Sequence, residues 1–421
     1  MNSKPDPVNN RIGHVAAVWH DITLIWGGYL VTAEDKWYDE CDPGEIYCHQ
    51  DGIWTPRNTH GEVPPSISNG IGEVVQDHFY VACGDRCAED SDDEECMEGP
   101  PFWSNSIYRL DLNTWRWSKL HPKGTRPLRS CDLASWVSGD NIFLFGGFGQ
   151  TQLDSETWYP ESLKIRGNAS NQLVYYSCRE NSWNWPVASG QAPHPRWDHS
   201  AFSVSGLYMD PTSGKERFKS LAFIFGGHED DDDDDDDDDD YNGGEICGDL
   251  HILDLDSMRW EEVEREKFHR WPINRIGHSF NRISSKNAVL IGGDACGFFL
   301  KDCWLLNINK AISLDNEEEI WTRCEHHNES NGARAYHRSV KEPSSQRLWI
   351  LGGAITKTLN DDCLPREKIG ELAFSSNQKL KVLALETVSK NFEKLRPEIK
   401  KLPDGLRRAA EERSRRKYVI T

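Results

Sequence analysis

The sequence predicts an all-β fold, a six-bladed β-propeller followed by a short helical appendage, and three recurring features carry that prediction. A short apolar run that stops on paired glycines returns along the chain. An Arg-x-x-His stands ahead of most copies, and a strand-like segment with a distal tryptophan follows most of them. Strand clusters repeating at this spacing form blades that cannot stand alone and must stack around an axis.

The apolar runs end at Gly27-Gly28, Gly146-Gly147, Gly226-Gly227, Gly292-Gly293 and Gly352-Gly353. Phe79-Tyr80-Val81-Ala82-Cys83-Gly84 is a worn copy with one glycine of the pair. A nearly all-apolar stretch of this length reads as a strand buried on both faces. The glycines mark backbone that needs positive φ or close approach. Successive copies lie 56 to 80 residues apart. That is the kelch period of about 50 residues plus loop insertions; a β-sandwich would not need a repeating Gly-Gly.

Arg11-Ile12-Gly13-His14, Arg196-Trp197-Asp198-His199, Arg275-Ile276-Gly277-His278 and Arg334-Ala335-Tyr336-His337 precede four of the runs. The third repeat has a degenerate Arg129-Ser130-Cys131-Asp132, and the second only Pro64-Pro65-Ser66-Ile67-Ser68. Recurrence of the histidine in four repeats points to a structural role, hydrogen-bonding backbone within or between blades. Trp54, Trp115 with Trp117, Trp183 with Trp185, Trp260 and Trp321 are the distal tryptophans. Bulky rings there suit the wide outer part of a blade.

These repeats assign residues 1–10 to a flexible N-terminus and 11–374 to the propeller, with 369–374 as the last strand. Residues 375–421 form the appendage. Two acidic insertions interrupt the propeller, 86–101 and 229–244, the second holding eleven consecutive aspartates from Asp230 to Asp240. Such a block repels itself and stays solvated; it reads either as a plain surface loop or as a lure for basic partners. Beyond 375, Leu380, Leu383, Val388, Phe392 and Leu395 recur at helical spacing, until Pro397 and Leu402-Pro403-Asp404-Gly405-Leu406 interrupt. A basic tail closes the sequence.

The composition fits an aromatic-rich core: 17 Trp, 15 Phe and 12 Tyr in 421 residues. The formal net charge of −21 falls to −9 without the twelve carboxylates between Glu229 and Asp240. Neither figure suits a nucleic-acid groove or an anionic membrane. No apolar run reaches the roughly 18 residues of a membrane span, and the N-terminus has no apolar signal region. The twelve cysteines lack a CxxC pair and read as reduced thiols, so cytoplasm or nucleus is the expected compartment. Cys83, Cys87 and Cys96 make only a weak zinc pattern. Nucleotide-binding, zinc-protease and serine-hydrolase motifs are lacking, so the expectation is a non-catalytic binding protein with no cofactor.

Propeller loops converge around the axis into a shallow basin. By repeat position its borders are the residues after the glycine pairs, Tyr29, Phe148, His228 and Asp294, and those within the Arg-x-x-His segments, Arg196, Trp197, Arg275, Arg334 and Tyr336. Arginines among aromatics either anchor a peptide or pair with acidic loops of their own blades; the sequence leaves both open.

The chain resembles the kelch domain-containing substrate receptors of elongin–cullin ubiquitin ligases. The first repeat from Arg11 to Tyr29 and Gly61-Glu62-Val63-Pro64-Pro65-Ser66 carry the resemblance in the propeller. Leu380, Ala384 and Val388, with Leu383 and Leu385 between, are similar to the family's elongin-binding box, and Leu402-Pro403 with Leu406 to the cullin-selecting box after it. The resemblance implies elongin B, elongin C and a cullin as partners and a peptide degron in the basin, with kelch scaffolding as the alternative. An apolar-striped helix without its own core suits helix-in-groove binding. Family members read substrate C-termini, clamping the carboxylate with arginines. This sequence departs there: His228 replaces the arginine after the fourth glycine pair, and Ile276-Gly277 follow Arg275 where Ser-Trp is expected. A basic or internal peptide is the substitute these departures suggest.

Overall fold

The computed structural model describes residues 8, 11–31, 38–50, 53–86, 102–150, 168–209, 216–230, 244–313, 318–324, 332–342, 347–357, 363–365 and 370–373. The expected helical appendage and basic tail, and most of the two acidic insertions, lie outside these residues.

Six antiparallel sheets follow one another along the chain as the blades. Blade 1 pairs Val15–Trp19, Ile22–Trp26, Glu45–Gln50 and Ile53–Asn58 in that order; blade 2 pairs Ile71–Val75, His78–Ala82, Ile107–Asp111 and Arg116–Lys119. Blade 3 contains Ala134–Ser138, Asn141–Phe145, Leu173–Ser177 and Ser182–Asn184. Blade 4 contains Ser200–Met209, Glu216–His228, Ile246–Asp254 and Arg259–Glu262. Blade 5 is built from Ser279–Arg282, Asn287–Ile291, Cys303–Asn307 and Trp321–Arg323; blade 6 shows Arg338–Lys341, Arg347–Leu351 and Gly370–Ala373. The glycine-ended run is thus the second strand of every blade, and Gly370–Ala373 pairs beside the last of them, as the sequence predicts.

The core is divided by the blades. One apolar cluster fills each interface, because the second strand is apolar on both faces. In blade 4, Phe223 and Phe225 join Phe280 and Trp321 of blade 5, while Ala222 and Ile224 join Trp136 and Phe145 of blade 3. Trp26, Phe79 and Trp117 meet between blades 1 and 2. Val8 and Ile25 meet Val340 and Leu351 between blades 1 and 6. The distal Trp117, Trp183, Trp260 and Trp321 are all buried on fourth strands, where the wedge between blades is widest. Truncating one such ring to alanine typically costs about 3–5 kcal/mol.

The first strands of the blades face one another around a central channel of about 800 Å³. Its wall is partly polar. Ser135 Oγ donates to Glu73 Oε1 at 2.7 Å, and Asn281 Nδ2 donates to Ser339 Oγ at 2.6 Å. Among the described residues no helix is long and apolar enough to cross a membrane.

Candidate functional site: the face bearing the glycine pairs

Both sequence signatures belong to one device, a clasp between neighbouring blades. The arginine of each Arg-x-x-His donates from Nη1 to the carbonyl of the first glycine of its own blade: Arg11 to Gly27 at 2.8 Å, Arg196 to Gly226 at 3.1 Å, Arg275 to Gly292 at 2.9 Å and Arg334 to Gly352 at 3.1 Å. The carbonyl of the same arginine accepts from the second glycine of the preceding blade. Gly147 donates to Arg196 at 2.9 Å, Gly227 to Arg275 at 3.1 Å, Gly293 to Arg334 at 2.8 Å and Gly353 to Arg11 at 2.9 Å. The last bond closes the ring from blade 6 to blade 1.

The histidine completes the clasp by packing over the first glycine of the preceding blade. His278 Nε2 lies 3.1 Å from the Phe225 carbonyl, and a Cβ on Gly226 would stand 2.9 Å from its Cε1. Gly226 also has φ +64°, so the position requires glycine for both reasons. Burial, followed by the nearby arginine, pushes His199 and His278 down to about 3, so both are neutral.

The residue just before each histidine, with its equivalents Asn69 and Asp132 in the second and third repeats, forms an inner ring at the channel mouth. Asn69 donates its backbone N–H to Gly13 O at 2.7 Å, Asp132 to Asn69 at 2.9 Å, Asp198 to Asp132 at 3.1 Å, Gly277 to Asp198 at 3.1 Å and Tyr336 to Gly277 at 2.7 Å. All six have φ between +53° and +67°, a conformation that Gly, Asn and Asp tolerate best. These bonds correct the sequence reading of the third repeat. The equivalent of Arg11 there is Ser130, so the degenerate motif is Ser130-Cys131-Asp132-Leu133, one residue later than expected.

Around this ring, loops from several blades raise aromatic side chains. On one side the chain of rings runs Trp103–Phe148 at 5.8 Å between centroids, Phe148–Trp197 at 5.0 Å and Trp197–His228 at 4.3 Å. Trp197 and His228 also exchange both backbone hydrogen bonds, at 3.1 and 2.9 Å. On the other side Tyr29, Phe299 and Tyr336 surround Ile12 and Ala354. Tyr336 Oη donates to Asp294 Oδ2 at 3.3 Å, and a tight turn at Cys296-Gly297 carries the exposed Phe298. The structure therefore brings Tyr29, Phe148, Trp197, His228 and Tyr336 to one face as half-buried neighbours.

Of the two readings that the sequence leaves open for Arg196, Arg275 and Arg334, the structure shows inward-facing arginines and not exposed peptide anchors. All three are buried. Arg196 makes a bidentate pair with Asp249 at 2.6 and 2.9 Å and reaches Glu229 at 2.6 Å. Arg275 holds Asp302 at 2.7 and 2.9 Å. A guanidinium stripped of water needs such partners; Arg334 donates to the Ile350 and Gly352 carbonyls at 3.0 and 3.1 Å, so all three arginines serve the clasp. The partner-binding candidates Leu380, Leu383, Ala384, Val388, Leu402, Pro403 and Leu406 lie outside the described residues.

Sequence reasoning missed Asp132, Asp198, Asn69 and Trp103. The signal for the ring was present, since Gly13, Asn69, Asp132, Asp198 and Gly277 are the residue types that favour left-handed backbone, recurring two residues before the first strand of each blade. The electrostatics here are unusual. Burial first, then the Asp198 and Asp85 carboxylates, push the Asp132 carboxyl well above its usual range. Burial raises Asp85 as well, against a hydrogen bond from Asn69 Nδ2 at 2.9 Å. Asp85, Cys131 and Asp132 hold their ligand-type atoms within 4.8 Å of one another, but burial pushes the Cys131 thiol up, which keeps it protonated and a poor metal ligand. Cys83 is buried with its thiol pushed up to about 12; Cys87 and Cys96 are outside the described residues.

Comparison with known proteins agrees with this architecture. A family model described as the KLHDC2/KLHL20/DRC7 Kelch-repeats domain matches residues 161–364. Kelch domain-containing protein 2 of Bos taurus is 26% identical over 367 residues, covering 83% of this chain and 77% of the relative. Kelch domain-containing protein 1 of Homo sapiens is 23% identical over 419 residues, covering 94% and 88%. Host cell factor 2 of Homo sapiens is 24% identical over 294 residues, covering 67% of this chain and 30% of that protein. With its blades, clasps and aromatic basin, the chain is a kelch-repeat β-propeller that resembles kelch domain-containing protein 2, an architecture suited to protein interaction.

Proposed function

We propose that this protein is the substrate-recognition subunit of a cullin-RING ubiquitin ligase, a non-catalytic receptor of the cytoplasm or nucleus. It binds a peptide degron on the face bearing the glycine pairs and recruits elongin B and elongin C through residues 375–421. The observation that carries the first half is the convergence of Trp103, Phe148, Trp197 and His228 beside the channel mouth. Phe148, Trp197 and His228 are half-buried and Trp103 backs them from the core; aromatic side chains around a concave centre are the usual make-up of an interaction hot spot. The second half is supported by the sequence of Leu380, Leu383, Ala384 and Val388, and of Leu402-Pro403 with Leu406, which select elongin and then a cullin.

Co-purification tests it. Tagged full-length protein expressed with elongin B and elongin C should retain both, and a Leu380→Asp/Ala384→Asp variant should lose both. Failure of the intact chain to retain them, or retention by the variant, returns the protein to a kelch scaffold with no ligase role.

A further inference from the structure

Blade 5 holds two cysteines face to face. Its third strand begins at Cys303, and Cys324 directly follows its fourth. The register sets Leu305 opposite Thr322 and Trp304 opposite Arg323, so Cys303 and Cys324 are the next facing residues. Cys324 donates its backbone N–H to the Cys303 carbonyl at 2.8 Å. Residues directly opposed in an antiparallel pair have Cα atoms about 4.5–5.5 Å apart, inside the range that a disulfide spans. The side chains meet as well: the Cys303 thiol donates to Cys324 Sγ at 3.3 Å. Joining the sulfurs therefore needs only their approach, with no shift of the backbone.

The two thiols are not equivalent. Cys303 is buried, packed with Val289 and Ile291 of its own blade and with Leu348 and Ile350 of blade 6. Cys324 lies at the edge of that cluster and is half-buried, so solvent reaches it in part. The hydrogen bond from Cys303 favours a thiolate on Cys324 and holds its thiol below the usual range, against the effect of burial. The same contact, followed by burial, pushes the Cys303 thiol up. Cys131 and Cys247, by contrast, donate to backbone carbonyls at 3.6 and 3.7 Å.

We propose that Cys303 and Cys324 form a reversible thiol–disulfide site whose oxidant is a small hydroperoxide. The Cys324 thiolate attacks the terminal oxygen of the hydroperoxide. The O–O bond breaks, and the departing hydroxide or alkoxide takes up a proton. Cys324 is left as a sulfenic acid, its sulfur having passed two electrons to the peroxide. The Cys303 sulfur then attacks the Cys324 sulfur: the S–S bond forms, the S–O bond breaks, and hydroxide leaves with the Cys303 proton as water. Two thiols and one hydroperoxide thus give one disulfide, one water and the alcohol of the hydroperoxide, which is a second water for hydrogen peroxide. A dithiol reductant reverses the change by exchange. A half-buried sulfur admits a small hydroperoxide more readily than a bulky disulfide, which selects the oxidant. The bond staples the three-residue strand Trp321–Arg323 to its neighbour. One residue before Cys303, Asp302 holds Arg275, so the staple lies beside the clasp of blade 5.

Peptide mapping of the full-length protein, first reduced and then exposed to a small excess of hydrogen peroxide, tests this. Remaining thiols are blocked with iodoacetamide and the protein is digested without reductant. A linked peptide joining Cys303 to Cys324, lighter than its two halves by two hydrogens, should be the main cross-linked product, and dithiothreitol should restore both thiols. Cys303→Ser removes the second thiol, so the Cys324 sulfenic acid should persist and take the dimedone label. Cys324→Ser changes a half-buried edge position, should fold as the parent does, and should slow loss of the Cys303 thiol roughly tenfold or more. The proposal is overturned if both thiols remain open to alkylation after peroxide, or if Cys324 is recovered joined to another cysteine or to a second molecule. Loss of the Cys303 thiol in Cys324→Ser as fast as in the parent also overturns it. None of these readouts involves elongin or a bound peptide, so this site and the ligase reading can fail separately.

Discussion

Gly353 donates its backbone N–H to the carbonyl of Arg11 at 2.9 Å, and this bond fastens the last blade to the first. The same exchange between second glycine and arginine carbonyl joins blade to blade elsewhere, so closing the ring uses no special element. It repeats the local clasp once more.

Gly352→Ala tests the clasp at this junction. Gly352 has φ +59°, and a Cβ there would strike the Arg11 carbonyl and stand 2.6 Å from His14 Cε1. Gly139 has φ +60° and nothing within 4 Å of its imagined Cβ. Gly139→Ala should cost only the left-handed backbone, about 1–2 kcal/mol. Gly352→Ala adds a backbone clash and should cost roughly 3 kcal/mol or more. Urea unfolding of the two variants side by side measures the difference.

Arg275→Ala should act on stability before it acts on any ligand. Its side chain is fully buried and its partner Asp302 is 11% exposed. Removing one member of a buried ion pair costs about 3–5 kcal/mol, because the other charge is left uncompensated. Arg275→Lys should recover only part of this, since an ammonium cannot make the bidentate pair. In a double-mutant cycle, Arg275→Ala/Asp302→Ala should be less destabilised than the sum of the single variants. An additive result would mean the pair is not coupled.

Glu73 predicts a pH dependence that runs against the usual carboxylate. Burial in the channel wall pushes its carboxyl up to about 7, with the Ser135 hydroxyl opposing. The folded state therefore holds a proton that the unfolded state releases near its ordinary value. The stability from this group is present below about pH 4.5 and is lost as pH rises through about 7. Glu73→Gln removes the cost of ionisation and should raise stability at pH 8 by roughly 2 kcal/mol, with little change at pH 5. Thermal melts of both proteins across pH 5–8 decide it; a constant difference would show that the carboxyl titrates normally.

The blades and their order were legible because each repeat carries its own local signal. An apolar run such as Phe223-Ile224-Phe225 ending at Gly226-Gly227 declares a strand buried on both faces, and a distal Trp260 declares the wide edge of a wedge. The site was legible only in part. Phe148, Trp197, His228 and Tyr336 could be placed on one face by repeat position alone. The arginines could not be judged, because a buried clasp and an open anchor require the same residue type. Asp249 and Asp302, which settle the matter, lie 53 and 27 residues from their partners.

By itself the sequence determined how many blades there are, where each begins, and which strand of each is doubly buried, because these follow from periodicity within one blade. The tertiary structure decided what the shared residues do. Only packing of blade on blade sets Asp132 beside Asp198 and Trp197 against Phe148, and only folding of blade 5 turns Arg275 inward to Asp302. The physical reason is that charge, unlike hydrophobic period, acquires its meaning from neighbours distant in sequence: the same carboxylate is a satisfied partner at Asp302, paired with Arg275 of its own blade, and part of a buried, mutually repelling group at Asp132, beside Asp85 and Asp198.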